Sequence, residues 1–314
     1  MLLIFSFSPC KELKVVVFGG LWPMPSVLAF FTNAKLIYVP KAGLNAIKNS
    51  VAIELKPEFK NVKSGSNENL EQLLLLDADL YFGHSADTKL YEGLKKAGLK
   101  SHLFSVNVDN YDMKKTIEYW LKELENYFDI REKSQKLIAN ITETENQIAQ
   151  RLKGVKKHRA VILRLDEQKI SVGVKPYYLE KSGLEYVHKN ITNTDDIINL
   201  EELYQLNPEV IYLTNFTPAQ PEDLINNKKW QGIDAIKNKR VYKFPLATYR
   251  PYAPNLDVAP VLLYLAKTNY PEHFKDIEPK SEFKRHFKEF YGLDLNEKQL
   301  ELILHPKREA GKIK

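Results

Sequence analysis

Residues 99–153 run for 55 positions without a glycine or a proline. The two residue types that most readily break a helix are absent, so beyond one short strand near 101–106 the segment is expected to be mostly helix. Ile130, Leu137, Ile141, Ile148 and Leu152 recur at intervals of seven and four and draw one apolar stripe. A helix from about 130 to 153 is about 36 Å long at 1.5 Å per residue. Gly154 supplies a natural stop. In a chain of 314 residues, a rod of that length is a rigid strut between two bodies, not a flexible linker.

On each side of the strut, short apolar runs alternate with helical patterns. Before it, "LKVVVFGG", "KLIYVP", "DLYFG" and "SHLFSV" read as strands, separated by helical segments that include "PSVLAFF" and "DTKLYEGLKKAG". Asp87 stands at an N-cap position of the latter and Gly98 at its end. After the strut the alternation restarts with "RAVILRL", "KISVG", "EVIYLT" and "RVYKF", and "NLDVAPVLLYLAKTNY" forms a long closing helix. Such alternation implies parallel sheets covered by helices. The expected fold class is α/β: two Rossmann-like lobes with parallel sheets, joined by one long α-helix, with a ligand cleft between the lobes. The expected divisions are an apolar N-terminal segment 1–13, a first lobe 14–128, the linking helix 129–155 and a second lobe 156–314. Residues 271–314 are read as helical packing onto the second lobe.

The two halves also share a phrase. "NLEQLLLLDADLYFGHS" at 69–85 and "NLEELYQLNPEVIYLTN" at 199–215 align without a gap, 130 residues apart. Both give N-L-E-x-L-x-x-L, a polar residue, Ala or Pro, an acid, and then an apolar run.

Composition narrows the function. Hydrophobic residues at 44% and charged residues at 27% fit an ordinary globular chain. No apolar run approaches the roughly 18 residues of a spanning helix. The net charge of +6 favours anionic partners mildly, and with no arginine-rich block nucleic acid is not expected. Cys10 is the single cysteine, which excludes a disulfide framework or a cysteine-based zinc site within one chain. The preceding "MLLIFSFSP" resembles the tail of an export signal. A lipid anchor on Cys10 is conceivable, although Pro9 departs from the small residue that such cleavage sites prefer.

The pattern is similar to the ABC-importer substrate-binding proteins for ferric siderophores, haem and cobalamin, the group whose lobes are joined by a single long helix. The resemblance spans about 14 to 275. It rests most on "WQGIDAIKNKRVYKF" at 230–244, which is similar to that family's W-x-x-[ILF]-x-A-[VI]-[KR]-x-[GN]-[KR]-V-Y block. The repeated phrase, with the strut between its two copies, is the second support. The resemblance implies an exported solute-binding protein, in the periplasm or on the outer face of the cytoplasmic membrane. It would act as a monomer, hold no resident cofactor, and deliver a small-molecule metal chelate to an ABC permease dimer in the inner membrane. A ferric siderophore (an Fe3+ complex) is the first expectation, with haem, cobalamin or a nickel or cobalt chelate as alternatives. The family presents one acid per lobe to its permease, and the repeat offers Glu71 and Glu201, with Glu68 and Glu202 as neighbours. Those glutamates can equally favour the first turns of their own helices.

Open α/β sheets bind ligands beyond the carboxyl ends of their strands. The residues there are Trp22 and His84 in the first half, and Tyr177, Tyr178, Asn215, Phe216, Tyr249, Arg250 and Tyr252 in the second. Aromatic rings give flat apolar contact, and an arginine fork pairs with carboxylate or catecholate oxygens. Arg250, between Tyr249 and Tyr252, is the leading candidate. A neutral His84 would be a candidate to fill an open position on a bound metal. Of the tyrosine pair, one ring is expected inward and one at the cleft. An α/β hydrolase using Ser85 is the alternative of a different class. "GHSAD" offers the Gly-x-Ser of a nucleophile elbow but lacks its second glycine, and no acid–histidine pair stands out.

Overall fold

In the computed structural model the described residues are 12–66, 68–166, 169–173, 177–188 and 195–312. Cys10 and most of the apolar N-terminal segment lie outside them. The first lobe is built on β1 (Lys14–Val17), β2 (Lys35–Pro40), β3 (Lys63–Gly65), β4 (Leu80–His84) and β5 (Ser101–Phe104). They form one sheet in the order β3-β2-β1-β4-β5, and every pairing is parallel. Val15, Val16 and Val17 are fully buried, as a strand covered on both faces requires. The chain leaves β1 toward one edge and later returns to β4 on its other side. The switch point therefore falls between β1 and β4, with Gly19, Gly20 and His84 at its mouth.

The second lobe is built on β6 (Arg159–Asp166), β7 (Lys169–Gly173), β8 (Glu185–Tyr186), β9 (Asp195–Ile198), β10 (Val210–Leu213) and β11 (Val241–Lys243). The order is β11-β10-β6-β7-β9, with β8 beside the start of β6. The β10–β11 and β6–β10 pairings are parallel, but β7 runs antiparallel to both β6 and β9. Two residues separate β6 from β7, which is enough for a hairpin and far too short for a crossover.

After β5 the glycine-free stretch holds two helices, Met113–Leu124 and Arg131–Arg151, the second where the long linking helix was expected. Ahead of the first, Asp109, Asn110 and Tyr111 all take positive φ, a turn made without glycine. The Asn107 side chain supports it by accepting the Tyr111 N–H at 2.9 Å. Leu137, Ile141 and Ile148 of the longer helix are buried as the stripe requires, and Gly154 follows at φ +79°. This helix packs on Met113–Leu124 and on Val258–Asn269 of the second lobe.

The repeated phrase has the same local structure twice. Asn69 and Asn199 are N-caps, accepting the N–H groups of Gln72 and Glu202 at 2.9 and 2.8 Å. The side chains of Gln72 and Glu202 accept the cap N–H groups in return. Each is a complete capping box, which satisfies two otherwise orphaned donors at a helix start.

The C-terminal residues depart from expectation. Helix Pro279–Tyr291 packs on the second lobe's closing helix, but it also reaches the first lobe. There Phe30 meets Phe287 and Tyr291 edge-on, at centroid distances of 6.3 and 5.4 Å. Ser26 of the first lobe donates to the Thr248 carbonyl at 2.6 Å, a second direct tie between the lobes.

Candidate functional site

The first lobe's half of the cleft is organised by Asp87. Its carboxylate accepts the N–H groups of Gly20 at 3.0 Å and His84 at 3.1 Å, joining the loops after β1 and β4. Gly19, at φ +64°, leaves the space for it, since a Cβ there would lie 1.9 Å from Asp87 Oδ2. Asp87 stands at the N-cap position of helix Thr88–Lys96, as expected, but its side chain serves the Gly20 and His84 N–H groups and makes no capping bond. Nothing in the local pattern distinguished the two roles.

His84 is half-buried beside Gly20. Burial lowers its pKa below the usual histidine value, against the nearby Asp87 carboxylate, which raises it. Its Nδ1 accepts the Ala86 N–H at 3.0 Å. A neutral ring with Nδ1 accepting carries its proton on Nε2. In that tautomer His84 offers a hydrogen-bond donor at Nε2. No group of three or more His, Cys, Asp or Glu side chains among the described residues could hold a metal ion. Trp22 is half-buried nearby, and helix Lys41–Lys48 packs so closely on its backbone that a Cβ on Gly43 would lie 2.5 Å from the Trp22 carbonyl.

The second lobe's half is built from the loops after β10 and β11. Asn215 donates to the carbonyls of Phe244 and Pro245 at 3.0 and 3.3 Å, so its amide fixes the loop after β11. Lys243 is buried and donates to the Thr217 and Ala219 carbonyls at 2.6 and 2.8 Å. Burial first, then Arg250 and Arg308, push its pKa down to about 7. Arg250 is wholly buried, with its guanidinium 4.8 Å above the Phe216 ring. Nη2 donates to the carbonyls of Ala310 at 2.7 Å and Lys312 at 3.3 Å, while Nε and Nη1 reach no acceptor in good hydrogen-bond geometry among the described residues and have the Tyr249 hydroxyl as their polar neighbour. Beside it, burial raises the Tyr249 phenol to about 12 and the arginine limits that rise. Tyr252 is held at φ +75°, and its hydroxyl would lie 2.6 Å from a Cβ on Gly173. Asn215, Phe216, Tyr249, Arg250 and Tyr252 therefore gather on one set of loops.

The tyrosine pair does not divide as expected. Tyr177 and Tyr178 are both buried and meet edge to face at 5.5 Å. The Tyr177 hydroxyl donates to Glu145 of the linking helix at 2.9 Å, and that of Tyr178 accepts from Asn255 at 3.0 Å. Both hydroxyls are committed to internal bonds, which no strand-end position reveals.

Glu71 and Glu201 are exposed, and neither carboxylate makes a hydrogen bond or ion pair among the described residues. Their neighbours are engaged: Glu202 closes its capping box, and Glu68 accepts the Tyr38 hydroxyl at 3.2 Å. Both helices start where β3 and β9 end, and β9 runs parallel to β6, so the two acids lie at the cleft-side rims of their sheets. Ser85 is exposed at the end of β4. Among the described residues no helix is long and apolar enough to cross a membrane.

The periplasmic binding protein family model matches residues 39–247, and the chain belongs to that family. It is the binding protein of an ABC transporter, with a permease and a small-molecule ligand as its partners, and it is not an enzyme. A similar protein is the molybdate-binding protein MolA of Haemophilus influenzae, 22% identical over 263 residues covering 76% of this chain and 75% of MolA. Among solved structures, a periplasmic solute binding protein from Veillonella parvula superposes with a TM-score of 0.81 at 21% identity, covering 94% of this chain and 92% of its own. Helicobacter pylori CeuE with Ni(II) bound gives a TM-score of 0.71 at 27% identity, covering 93% and 94%.

Proposed function

We propose that this protein, exported to the periplasmic side of the membrane, captures an anionic metal chelate between its lobes and hands it to its permease. A ferric siderophore is the first cargo. The observation that carries this reading is Arg250, a buried guanidinium with Lys243 close by, whose only polar partners among the described residues are two carbonyl oxygens on Nη2 and the neutral Tyr249 hydroxyl. A buried charge left so incompletely paired is costly unless an anion completes it. Catecholate or hydroxamate oxygens match its fork. Trp22, Phe216 and Tyr252 give apolar contact, and His84 donates from Nε2 to a cargo oxygen rather than binding the metal. The likeness to a molybdate-binding protein favours a second reading, a bare oxyanion held by the same cation.

Tryptophan fluorescence tests both readings against ferric catecholates, ferric hydroxamates, haem, cobalamin, nickel with histidine, and molybdate. Saturable quenching by one class, lost from the Trp22→Phe variant, names the cargo and supports the site. Arg250→Ala is expected to weaken that cargo by at least about tenfold, the worth of a hydrogen bond to a charged group. Failure of every ligand to bind at high micromolar concentration would sink the metal-chelate reading.

Glu71 and Glu201 are proposed as the permease contacts, one from each lobe. Exposed acids of this kind govern orientation and association more than intrinsic affinity. The double variant Glu71→Lys, Glu201→Lys is expected to bind cargo normally and to lose most cargo-stimulated ATPase of the reconstituted importer. Full stimulation by the double variant would refute the assignment.

A further inference from the structure

Arg250 is closed off by a part of the chain 60 residues away. The short 3-10 turn Arg308–Gly311 and its flanks lie along the second lobe's cleft loops. Arg308 forms a two-pronged ion pair with Asp223, at 2.5 and 2.7 Å. Gln220 donates to the Pro306 carbonyl at 3.1 Å. Gly311 sits so tightly that a Cβ on it would lie 2.0 Å from the Thr217 carbonyl. Across the cleft the same turn packs on helix Lys41–Lys48, the helix that supports the Trp22 loop. Segment 306–312 thus bridges the cleft-side loops of both lobes and covers the guanidinium.

We propose that segment 306–312 is a displaceable occupant of the cleft, whose Ala310 and Lys312 carbonyl oxygens hold Arg250 where an anionic cargo's oxygens will hold it. The inference rests on Arg250 as the cargo anchor. Carbonyl oxygens are partial-charge acceptors and satisfy one of the three guanidinium nitrogens. A cargo oxygen that carries a full negative charge makes the stronger bond to the guanidinium and displaces them. The latch is weak enough to open, because the Arg308–Asp223 pair is about half-exposed on each side. Affinity is then reduced by the fraction of time the segment lies closed.

Stopped-flow tryptophan fluorescence with two probes, ferric tris-catecholate and molybdate, tests this on four chains. These are the full chain, a chain lacking residues 306–314, the Asp223→Asn chain, and the shortened chain carrying Arg250→Ala. Shortening is expected to speed association and tighten binding by about tenfold, with a smaller gain for Asp223→Asn. The Asp223→Asn chain keeps every backbone contact and serves if the shortened chain does not fold. Unchanged association in both latch variants, with Arg250→Ala still weakening binding, overturns the occupant and leaves the anchor standing. Unchanged affinity on adding Arg250→Ala to the shortened chain overturns the anchor and the inference together. Binding of neither probe to any of the chains overturns both as well.

Discussion

Glu145→Ala is expected to lower unfolding stability by about 3 kcal/mol, read as a shifted midpoint in chemical denaturation, because it strips the shared partner from a buried cluster. Glu145 lies on the linking helix and is almost fully buried. One oxygen accepts from Lys114 of the neighbouring helix at 2.7 Å, and the other accepts the Tyr177 hydroxyl of the second lobe at 2.9 Å. Lys181 lies 3.4 Å away. Burial alone would raise the carboxyl's pKa, yet the bonds from Lys114 and Tyr177, with Lys181 close by, hold it below the usual value. The alanine leaves a lysine and a phenol without their acceptor, and each unmet group costs about 1–3 kcal/mol. Glu145→Gln keeps the shape and an acceptor and should lose less. A loss below about 1 kcal/mol for the alanine would show that water replaces the carboxylate without penalty.

A second expectation concerns two buried groups with opposite responses to acid. Asp257 accepts the Thr248 N–H and hydroxyl at 2.8 and 2.5 Å and the Tyr291 hydroxyl at 2.8 Å, and burial raises its pKa to about 6. His286 lies 3.0 Å from the Tyr291 hydroxyl and 3.6 Å from Asp257, against Phe287 and Phe290. Burial, reinforced by Arg285, pushes its pKa down to about 3. Between the ordinary histidine value and 3, the unfolded chain holds the proton that folded His286 rejects, so stability falls as pH falls. Between the ordinary aspartate value and 6, folded Asp257 holds the proton that the unfolded chain releases, so stability rises as pH falls. The two slopes, each about 1.4 kcal/mol per pH unit, nearly cancel from pH 6 to 4. Relative to the parent, His286→Gln should therefore gain about 3 kcal/mol over that interval and Asp257→Asn should lose about as much. Denaturation series at pH 6, 5 and 4 read the signs directly. Slopes of the same sign in both variants would refute the opposed pair.

Much of the architecture was legible because it is written in local patterns. The alternating apolar runs and the stripe from Leu137 to Ile148 report burial through periodicity alone. Gly98 and Gly154 stand at helix ends where positive φ is needed, and the structure places both of them there. The candidate site was legible only as a set of loops. Position after a strand brings Arg250 to the right rim but does not show that residues 310 and 312 cover it. It cannot separate Tyr177, committed to the linking helix, from Tyr252, facing Gly173. The tautomer of His84 depends on one N–H two residues on, and the place of Asp87 depends on a loop 67 residues back. These are properties of pairing across the fold, which periodicity does not encode.

Helix Met24–Phe31 carries a consequence for how the molecule is made. All eight of its residues are buried, and part of that cover comes from Phe287 and Tyr291. At roughly 5–20 residues per second of synthesis, that cover follows the helix by tens of seconds. Throughout that interval the part of the helix that meets Phe287 and Tyr291 lacks its cover, although β2 and helix Lys41–Lys48 already pack on the rest. The nascent chain is thus kept from completing its first lobe early and stays sticky until its last helices are made. The first lobe therefore reaches its native surface only when the chain is whole.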